Sequence, residues 1–563
     1  MTHLFSADGR DEIQNAMTEH ELDLLIIGGG ITGAGILLDA TVRGMHAGLI
    51  EMQDFAAGTS SRSTKLIHGG LRYLKQGDIG LVAEVGKERA IVHQNGPHIT
   101  EPIWMLLPIT ENGTYGKMMT SIGLYLYDRL AGVKHSERRR LLSIEETLSK
   151  EPLLNTEGLK GAGYYVEYRS DDARLTLEIL KEAFCRGALA LNYTKATRFR
   201  YRGGQIIGVD AQDVLNGNHY PLAAKIVVNA TGPWGDFLRE WDHSKSGKTL
   251  HLTKGVHIVV NGNRFPLHQA VYFEVPGDRM IFAIPREGKT YIGTTDTNYT
   301  QDPLDPLVSA TDQEYLIRCV NLMFPSLKLV TADIESSWAG VRPLIHEEGK
   351  NPSEISRKDE IFRSSTGLLT IAGGKLTGYR KMADKVVSMV AQELSSRSGK
   401  SYPPCHTQFI AYSGGKFGGS ENMSHFMEEK MRFGMDLGLS EFEAKRLVRR
   451  YGTNIDQVYT LIQEGLDEAH DHGLSLELYG ALRYGIDHEM VMNPEDFFVR
   501  RTGALYFDIG WVRYWQERAI QYMQKRLGWT HDETSEYEEK MEILLHRTVV
   551  PADVTLDADT LTK

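Results

Sequence analysis

The chain has 563 residues, a formal net charge of −11 and three cysteines, Cys185, Cys319 and Cys405. The length predicts two to four domains, because a single hydrophobic core rarely serves more than about 300 residues. The negative charge disfavours general nucleic-acid binding, and the cysteine spacing predicts neither a disulfide framework nor a metal site. The first 20 residues lack the apolar core of a signal peptide, and no apolar run reaches the roughly 20 residues that span a bilayer.

The segment from Leu22 to Glu51 has the pattern of a dinucleotide-binding unit: a strand, a glycine turn, a helix and a second strand ending in an acid. The first glycine makes a tight turn, the second lets a pyrophosphate approach the backbone, and the third lets helix and strand pack closely. The helix N-terminus adds unpaired N–H groups and a positive dipole end. Because the whole context is present, a glycine-rich turn without a ligand is the weaker interpretation. The predicted cofactor contacts are Gly28, Gly30, Thr32, Gly33 and the ribose-binding carboxylate Glu51.

The loop from Asp54 to Tyr73 is rich in small, hydroxylated and basic residues. Loops of this length inside a compact domain are usually functional or disordered. Arg62, Lys65 and Arg72, together with His68, suit an anionic ligand close to the pyrophosphate. A solvated basic loop is the alternative interpretation.

The remaining elements predict the domain types. A helix is expected over 171–190, then a β meander to about residue 225 and a β-rich segment over 250–345. A short strand, Leu368–Ala372, leads to Gly373-Gly374 and a helix whose N-terminal dipole suits negative charge. Beyond about residue 415 the pattern is helical. We therefore expect an α/β Rossmann-like cofactor domain, a β-rich (α+β) substrate domain and a C-terminal all-α domain.

One apolar segment, Met118–Gly132, leads into a basic run of Lys134, Arg138, Arg139 and Arg140. Such a segment is too short to cross a bilayer, but it suits a helix lying in the lipid interface, where basic residues meet anionic headgroups. A buried helix of the substrate domain explains the apolar positions at least as well.

Eight sequence blocks resemble the FAD-dependent (aerobic, respiratory) glycerol-3-phosphate dehydrogenase family, within the D-amino-acid-oxidase-like flavoproteins. The blocks span about residues 22–510, and the second and the last are long and specific. They are GGGITGAG (28–35), DFAAGTSSRSTKLIHGGLRYL (54–74), VVNATGPW (227–234), TKGVHIVV (253–260), AGVRPL (339–344), SR (356–357), AGGKLTGYR (372–380) and EDFFVRRTGALYFD (495–508).

The resemblance implies oxidation of glycerol 3-phosphate to dihydroxyacetone phosphate, with electrons passed from FAD to a membrane quinone. It also implies an FAD-binding domain, a β-rich substrate domain and a C-terminal helical cap. We place a discontinuous FAD-binding domain at 22–100, 160–245 and 346–400, a substrate domain at 101–159 and 246–345, and a helical domain at 405–545. Residues 1–21 are an N-terminal lead-in outside the resemblance, and residues 546–563 are a tail. The presence of a single fingerprint favours flavin, because no second nicotinamide site is evident.

A phosphorylated alcohol carries about two negative charges, so its pocket needs fixed cations, and the fork of arginine matches phosphate geometry. With the resemblance, the expected substrate contacts are Arg72, Tyr73, Arg342, Arg357 and Lys375. A neutral histidine is the usual base for the hydroxyl proton. We prefer His257 as the base and His68 as a positioning residue, and the exchange of the two histidines stays open. The positive field of Arg342 or Lys375 would stabilise the developing alkoxide.

The remaining expected cofactor contacts lie in three of the quoted blocks, and most are hydroxyl or glycine positions. They are Thr59, Ser60, Ser61, Thr231, Gly373, Gly374, Lys375, Leu376 and Thr377. Non-covalent FAD is expected, because no motif ties a histidine or cysteine to the flavin edge. No metal is expected.

Two other functions compete with a quinone-dependent dehydrogenase: an oxidase that uses oxygen, and a flavin-bearing binding protein without activity. The expected location is cytoplasmic, with peripheral contact to the inner face of the cell membrane and no nucleic-acid partner. The sequence leaves the oligomeric state open, a homodimer included.

Overall fold

The computed structural model describes residues 5–68, 79–111, 138–277, 279–347, 359–373 and 375–554. Elements are numbered over these residues. The α-helices are α1 (Arg10–Glu19), α2 (Ile31–Val42), α3 (Ile79–Asn95), α4 (Ile144–Lys150), α5 (Asp172–Cys185), α6 (Gly235–Trp241), α7 (Ala310–Met323), α8 (Tyr379–Ser398), α9 (Met423–Asp436), α10 (Glu441–Tyr451), α11 (Ile455–Glu464), α12 (Leu466–Asp471), α13 (Leu476–Glu489), α14 (Ala504–Phe507), α15 (Ile509–Leu527) and α16 (His531–Val549).

The β-strands are β1 (Leu24–Ile27), β2 (Ala47–Ile50), β3 (Leu66–Ile67), β4 (Thr100–Thr110), β5 (Arg140–Leu142), β6 (Leu159–Ser170), β7 (Leu189–Leu191), β8 (Thr194–Arg202), β9 (Gln205–Asp213), β10 (His219–Ala223), β11 (Val227–Asn229), β12 (Lys248–Asn261), β13 (Ala270–Val275), β14 (Arg279–Arg286), β15 (Lys289–Gly293), β16 (Thr297–Asn298), β17 (Ile334–Glu347), β18 (Glu360–Arg363) and β19 (Leu369–Ala372).

The cofactor half is built on a sheet of six described strands in the order β18-β19-β11-β1-β2-β7. The strands from β19 to β7 are parallel, and β18 is antiparallel to β19. β1 is the apolar run LLII with all four residues buried, as expected of a central strand covered on both faces. Helices α2, α5 and α8 supply apolar side chains to the same core. The predicted Rossmann-like unit is confirmed.

The substrate half is a larger sheet in the order β16-β12-β15-β14-β13-β4-β6-β3, with β17 paired to β12 and β5 to β6. One face packs on α7, and the other packs on the C-terminal helices. β8, β9 and β10 form the predicted meander as a separate three-stranded sheet. Residues from 160 onward are predicted for the cofactor domain, whereas β6 pairs with β4 in the larger sheet, from Leu159 to Ser170.

The C-terminal region is all-α, as predicted, and helices α9 to α16 account for most of it. Two of these helices begin at capping boxes, Ser440 with Glu443 and Thr530 with Glu533, which satisfy backbone N–H groups at the helix start. Among the described residues, no helix combines the length and apolar character needed to cross a bilayer.

The N-terminal residues differ from the polar lead-in that the sequence suggests. Residues 10–19 form α1, which buries Ile13 and Met17 in the core of the cofactor half. Phe5 stacks on Phe55 with ring centroids 5.7 Å apart. The segment is therefore part of the fold, because its few apolar side chains all point inward.

Candidate active site

The glycine turn after β1 is closed too tightly for side chains. Gly28 has φ +115°, and a Cβ on Gly33 would lie 1.9 Å from the carbonyl oxygen of Gly28. α2 therefore starts directly against the turn. Its first N–H group, on Ile31, donates to Ser60 Oγ at 2.9 Å, so the hydroxylated loop closes on the helix N-terminus. This backbone surface has the form that a pyrophosphate needs.

Glu51, at the end of β2, lies against the same turn. Its carboxylate accepts the N–H groups of Gly29 at 2.6 Å and Gln53 at 2.9 Å. Burial is the largest influence on Glu51 and raises the pKa of its carboxyl, while the two backbone donors oppose that shift. Each carboxylate oxygen has a second lone pair, so both can also accept from a ribose diol.

The other expected cofactor residues surround this turn. Thr59 Oγ1 donates to Val341 O at 2.7 Å, and Thr231 Oγ1 donates to Asn229 Oδ1 at 2.7 Å. Ser61 Oγ is buried without a hydrogen-bond partner among the described residues. An orphaned hydroxyl beside a glycine cradle fits a bound dinucleotide. Gly30 and Thr32 lie at the start of α2, where Gly30 is the residue preceding the helix.

A second cofactor segment precedes α8. Gly373 has φ +75°, Lys375 precedes a 3-10 turn over Leu376–Gly378, and Thr377 Oγ1 donates to His68 O at 3.2 Å. This bond joins the segment to the end of the hydroxylated loop. Gly374 lies outside the described residues, as do the expected substrate residues Arg72, Tyr73 and Arg357 and the interfacial segment Met118–Gly132.

The larger sheet presents a cross-strand row of residues towards the cofactor half. Register pairs join Tyr272, Phe282, Gly293, His257 and Trp338 across five strands, β13-β14-β15-β12-β17. Tyr272 stacks on Phe282 with ring centroids 4.1 Å apart, and His257 stacks on Trp338 at 4.8 Å. We call these five residues the aromatic row. A Cβ on Gly293 would lie 2.1 Å from the His257 ring, so the glycine is what makes room for the imidazole.

His257 is 1% exposed. Its Nε2 is 3.0 Å from Thr64 Oγ1, and its Nδ1 has no hydrogen-bond partner among the described residues. Burial, and then the charges of Arg342 and Lys65, hold the pKa of the ring well below its usual 6.5. The imidazole is therefore neutral at ordinary pH, as a general base must be.

Arg342 lies on β17 four residues after Trp338 of the row, on the same face of the strand. It pairs with Thr253 in register, and its guanidinium crosses Gly255, where a Cβ would be 2.1 Å from Nη2. It donates to Thr294 Oγ1 at 2.8 Å and is about a third exposed. Its Nη1 also lies 3.6 Å from Asp296 Oδ1. The structure thus brings Arg342 and His257 to one face of the sheet.

His68 reaches the opposite end of the row. Its ring lies 6.1 Å from that of Phe282. Burial, and then the charges of Lys375 and Arg89, lower the pKa of His68 to about 4. His68 and Lys375 therefore lie close enough to interact electrostatically. His68 and His257 are both neutral at pH 7.

Comparisons with known proteins agree with this geometry. Residues 23–380 match the family model of the FAD dependent oxidoreductases, and residues 405–534 match that of the C-terminal domain of alpha-glycerophosphate oxidase. The aerobic glycerol-3-phosphate dehydrogenase of Bacillus subtilis is 55% identical, covering 98% of this chain and 100% of its own. The Staphylococcus aureus protein of that name is 54% identical, covering 95% and 96%. The chain belongs to the aerobic glycerol-3-phosphate dehydrogenase family.

A solved structure supports the same placement. The glycerol-3-phosphate dehydrogenase of Bacillus halodurans, complexed with FAD, superposes with a TM-score of 0.85 at 49% identity, covering 98% of this chain and 100% of that one. The expected resemblance, fold class and FAD cofactor are confirmed for this member of the dehydrogenase family.

Several residues of the site are absent from the sequence-based expectations. These are Thr64, Phe282, Gly293, Thr294 and Trp338. One signal was available: Gly255 and Gly293 are isolated glycines inside strand patterns, which mark places where another group approaches the backbone closely. The aromatic residues carry no such signal, since alternation alone makes them ordinary core positions.

Proposed function

We propose that this protein oxidises glycerol 3-phosphate to dihydroxyacetone phosphate. The observation that carries the proposal is the pairing of a neutral, buried histidine, His257, with the partly buried arginine Arg342 on the sheet face that meets the cofactor loop. The curated relatives share the name of this activity, and their identity extends over the whole chain. FAD, when bound, supplies the acceptor for the hydride that leaves C2 of the substrate.

The chain's own residues bind the phosphate and handle the proton. Arg342 offers a planar fork to the phosphate, and Arg72, Arg357 and Lys375 are proposed as further cations. In the tautomer whose Nε2–H donates to Thr64 Oγ1, Nδ1 of His257 is unprotonated and takes the proton of the C2 hydroxyl. Because the pKa of His257 is held below 6.5, the acid limb of kcat/KM should also lie below pH 6.5. The rate falls there because a protonated imidazole accepts no proton.

Anaerobic mixing with glycerol 3-phosphate tests the proposal. The flavin absorbance should bleach, with His257→Asn slowing the bleaching strongly at full FAD occupancy and His68→Asn slowing it less. The reverse ranking would exchange the roles of the two histidines. Absence of bleaching in the wild-type protein would instead support a flavin-bearing binding protein.

We further propose a membrane quinone as the electron acceptor and non-covalent attachment of FAD. Hydrogen peroxide formed in stoichiometric amount during aerobic turnover would identify an oxidase. Release of free FAD on acid precipitation tests the attachment, since a covalent flavin stays in the pellet.

Membrane contact through Met118–Gly132 and the following basic run is proposed on the sequence alone. Arg138 and Arg140 are exposed, and Arg140 opens β5. Replacing Arg138, Arg139 and Arg140 with glutamine should weaken sedimentation with anionic liposomes while reduction of a soluble dye stays near wild type. Unchanged liposome binding would mean that the membrane contact lies elsewhere, with the C-terminal helical region as the next candidate.

A further inference from the structure

The sequence block EDFFVRRTGALYFD lies in the helical region, yet its two arginines contact the cofactor half. Arg501 donates through both terminal nitrogens to Asp54, at 2.7 and 2.9 Å, and Arg500 Nε donates to the same carboxylate at 2.6 Å. The three side chains are at most 3% exposed. Two guanidinium groups around one buried carboxylate form a clasp that joins residues about 450 positions apart, and we call it the Asp54 clasp.

The clasp is held firmly on its helical side. Arg501 also donates to Glu489 O at 2.6 Å, and Arg500 donates to Asp496 Oδ1 at 2.7 Å. Burial alone would raise the pKa of Asp54, but the facing charges of Arg501 and Arg500 hold it below its usual value. Asn192 Nδ2 adds a donor from the cofactor half at 3.0 Å. Asp54 is therefore a charged anchor whose charge is balanced by the two arginines of the C-terminal region.

Asp54 follows Glu51 by three residues and opens the turn that covers the glycine cradle. Ala56 N–H donates to Gly29 O at 3.0 Å. Phe55 and Glu51 occupy the space around Gly29, where a Cβ would lie 2.9 Å from the Phe55 ring and 2.8 Å from Glu51 Cβ. A shift of Asp54 would therefore move the turn against Gly29, whose N–H holds the Glu51 carboxylate.

We propose that Arg500 and Arg501 are positioning residues for the FAD site, through which the C-terminal helical region sets the geometry of the ribose carboxylate and the glycine cradle. The effect of the arginine pair passes through Asp54 and Phe55. The inference rests on FAD as the cofactor and does not depend on the identity of the substrate, so its failure and the failure of the proposed function are separable.

The test measures FAD affinity, not turnover. Apoprotein is titrated with FAD while the quenching of flavin fluorescence is followed, and urea unfolding of the same apoprotein is recorded. Arg501→Gln should raise the dissociation constant of FAD at least about tenfold. The loss of a hydrogen bond to a charged group corresponds to roughly that factor or more in an equilibrium constant. Arg501→Lys should recover part of the loss, because it keeps one charged donor.

Arg446→Gln is the matched control. Arg446 binds the buried carboxylate of Glu477 with two nitrogens inside the helical region, so its loss should destabilise the helices and leave the dissociation constant of FAD unchanged.

If Arg501→Gln does not fold, Asp54→Asn replaces it, because that change keeps the shape of the anchor and removes its charge. Unchanged FAD affinity in the folded variants would overturn the proposal and leave the clasp a purely structural contact. An equal loss of affinity in Arg446→Gln would overturn it as well.

Discussion

The cofactor cradle and the aromatic row meet at one site but are built in opposite ways. The cradle consists of backbone N–H groups, glycines and one carboxylate, all within Leu22–Glu51. The row takes one residue from each of five strands, with Arg342 beside it on β17. The cradle therefore depends on side chains being absent, whereas the row depends on particular side chains being present.

Residues 59–65 of the hydroxylated loop contact both regions. Ser60 Oγ accepts the Ile31 N–H of the cradle, whereas Thr59 donates to Val341 O on β17 and Thr64 Oγ1 lies 3.0 Å from His257 Nε2 on β12. Asp172 fixes the loop between these points, accepting from Ser63 Oγ and Lys65 Nζ at 2.6 Å each. Removal of the Thr64 hydroxyl should consequently affect the row, whereas changes at Ser60 should act on the cradle, because Ser60 Oγ accepts the Ile31 N–H.

The largest effect is expected where a side chain is added to the cradle. Gly33→Ala places a methyl group 1.9 Å from the oxygen of Gly28. The turn must open, which should abolish FAD retention after desalting and cost about 3 kcal/mol of unfolding free energy. Gly510→Ala in α15 is the control, since nothing lies within 4 Å of the added Cβ, and it should retain FAD fully. If Gly33→Ala retained FAD normally, the cradle would not depend on the absence of side chains, and the contrast between the two regions would be wrong.

The next largest effect should come from removing a side chain beside the row. Arg342→Ala should lower kcat/KM for glycerol 3-phosphate about 100-fold, mostly through KM, because a charged pair of hydrogen bonds to phosphate is lost. Arg342→Lys should lose less, since it keeps the charge without the fork. With free glycerol as substrate the difference from wild type should shrink. Equal, negligible effects of both variants would place Arg342 outside the site.

The one side chain that the cradle does use should have an intermediate effect. Glu51→Ala removes the acceptor of two backbone donors and of the ribose, which should weaken FAD binding by about 2 kcal/mol, or roughly 30-fold. Equilibrium dialysis at low FAD concentration measures this loss, and full occupancy there would show that Glu51 is not the ribose ligand.

The smallest effect should come from the loop that joins the regions. Thr64→Val keeps the shape but removes the hydroxyl partner of His257 Nε2, so the imidazole loses a hydrogen bond that orients it. kcat should fall about fivefold, close to 1 kcal/mol, while the dissociation constant of FAD stays the same. Thr64→Ser should restore kcat, and a shared loss in Val and Ser variants would point to packing instead.

The same contrast explains what the sequence could predict. The cradle is local, so periodicity and glycine spacing locate it to within a residue or two at β1 and α2. His257 and Arg342 were expected from a family resemblance, but their neighbours depend on strand register, which local patterns do not contain. Thr64 and Trp338 meet His257 only because β12, β17 and the loop converge.

Two further differences have the same cause. β6 was not expected in the larger sheet, because its partner β4 lies about 60 residues earlier and only pairing defines it. α1 was not expected at all, since its inward side chains are too few to give a clear periodicity. In both cases tertiary packing decides what local pattern leaves open.

The burial of the N-terminal segment has a consequence for how the chain is made. Ala7 N–H donates to Ile486 O at 2.9 Å, and Arg526 pairs with Asp8 at 2.7 Å. Residues near the start of the described chain therefore gain these contacts only from residues near its end. At a ribosomal rate of roughly 5–20 residues per second, Ile486 is synthesised about half a minute to a minute and a half after Ala7. During that interval the N-terminal segment of the nascent chain lacks these contacts and is accessible to a chaperone.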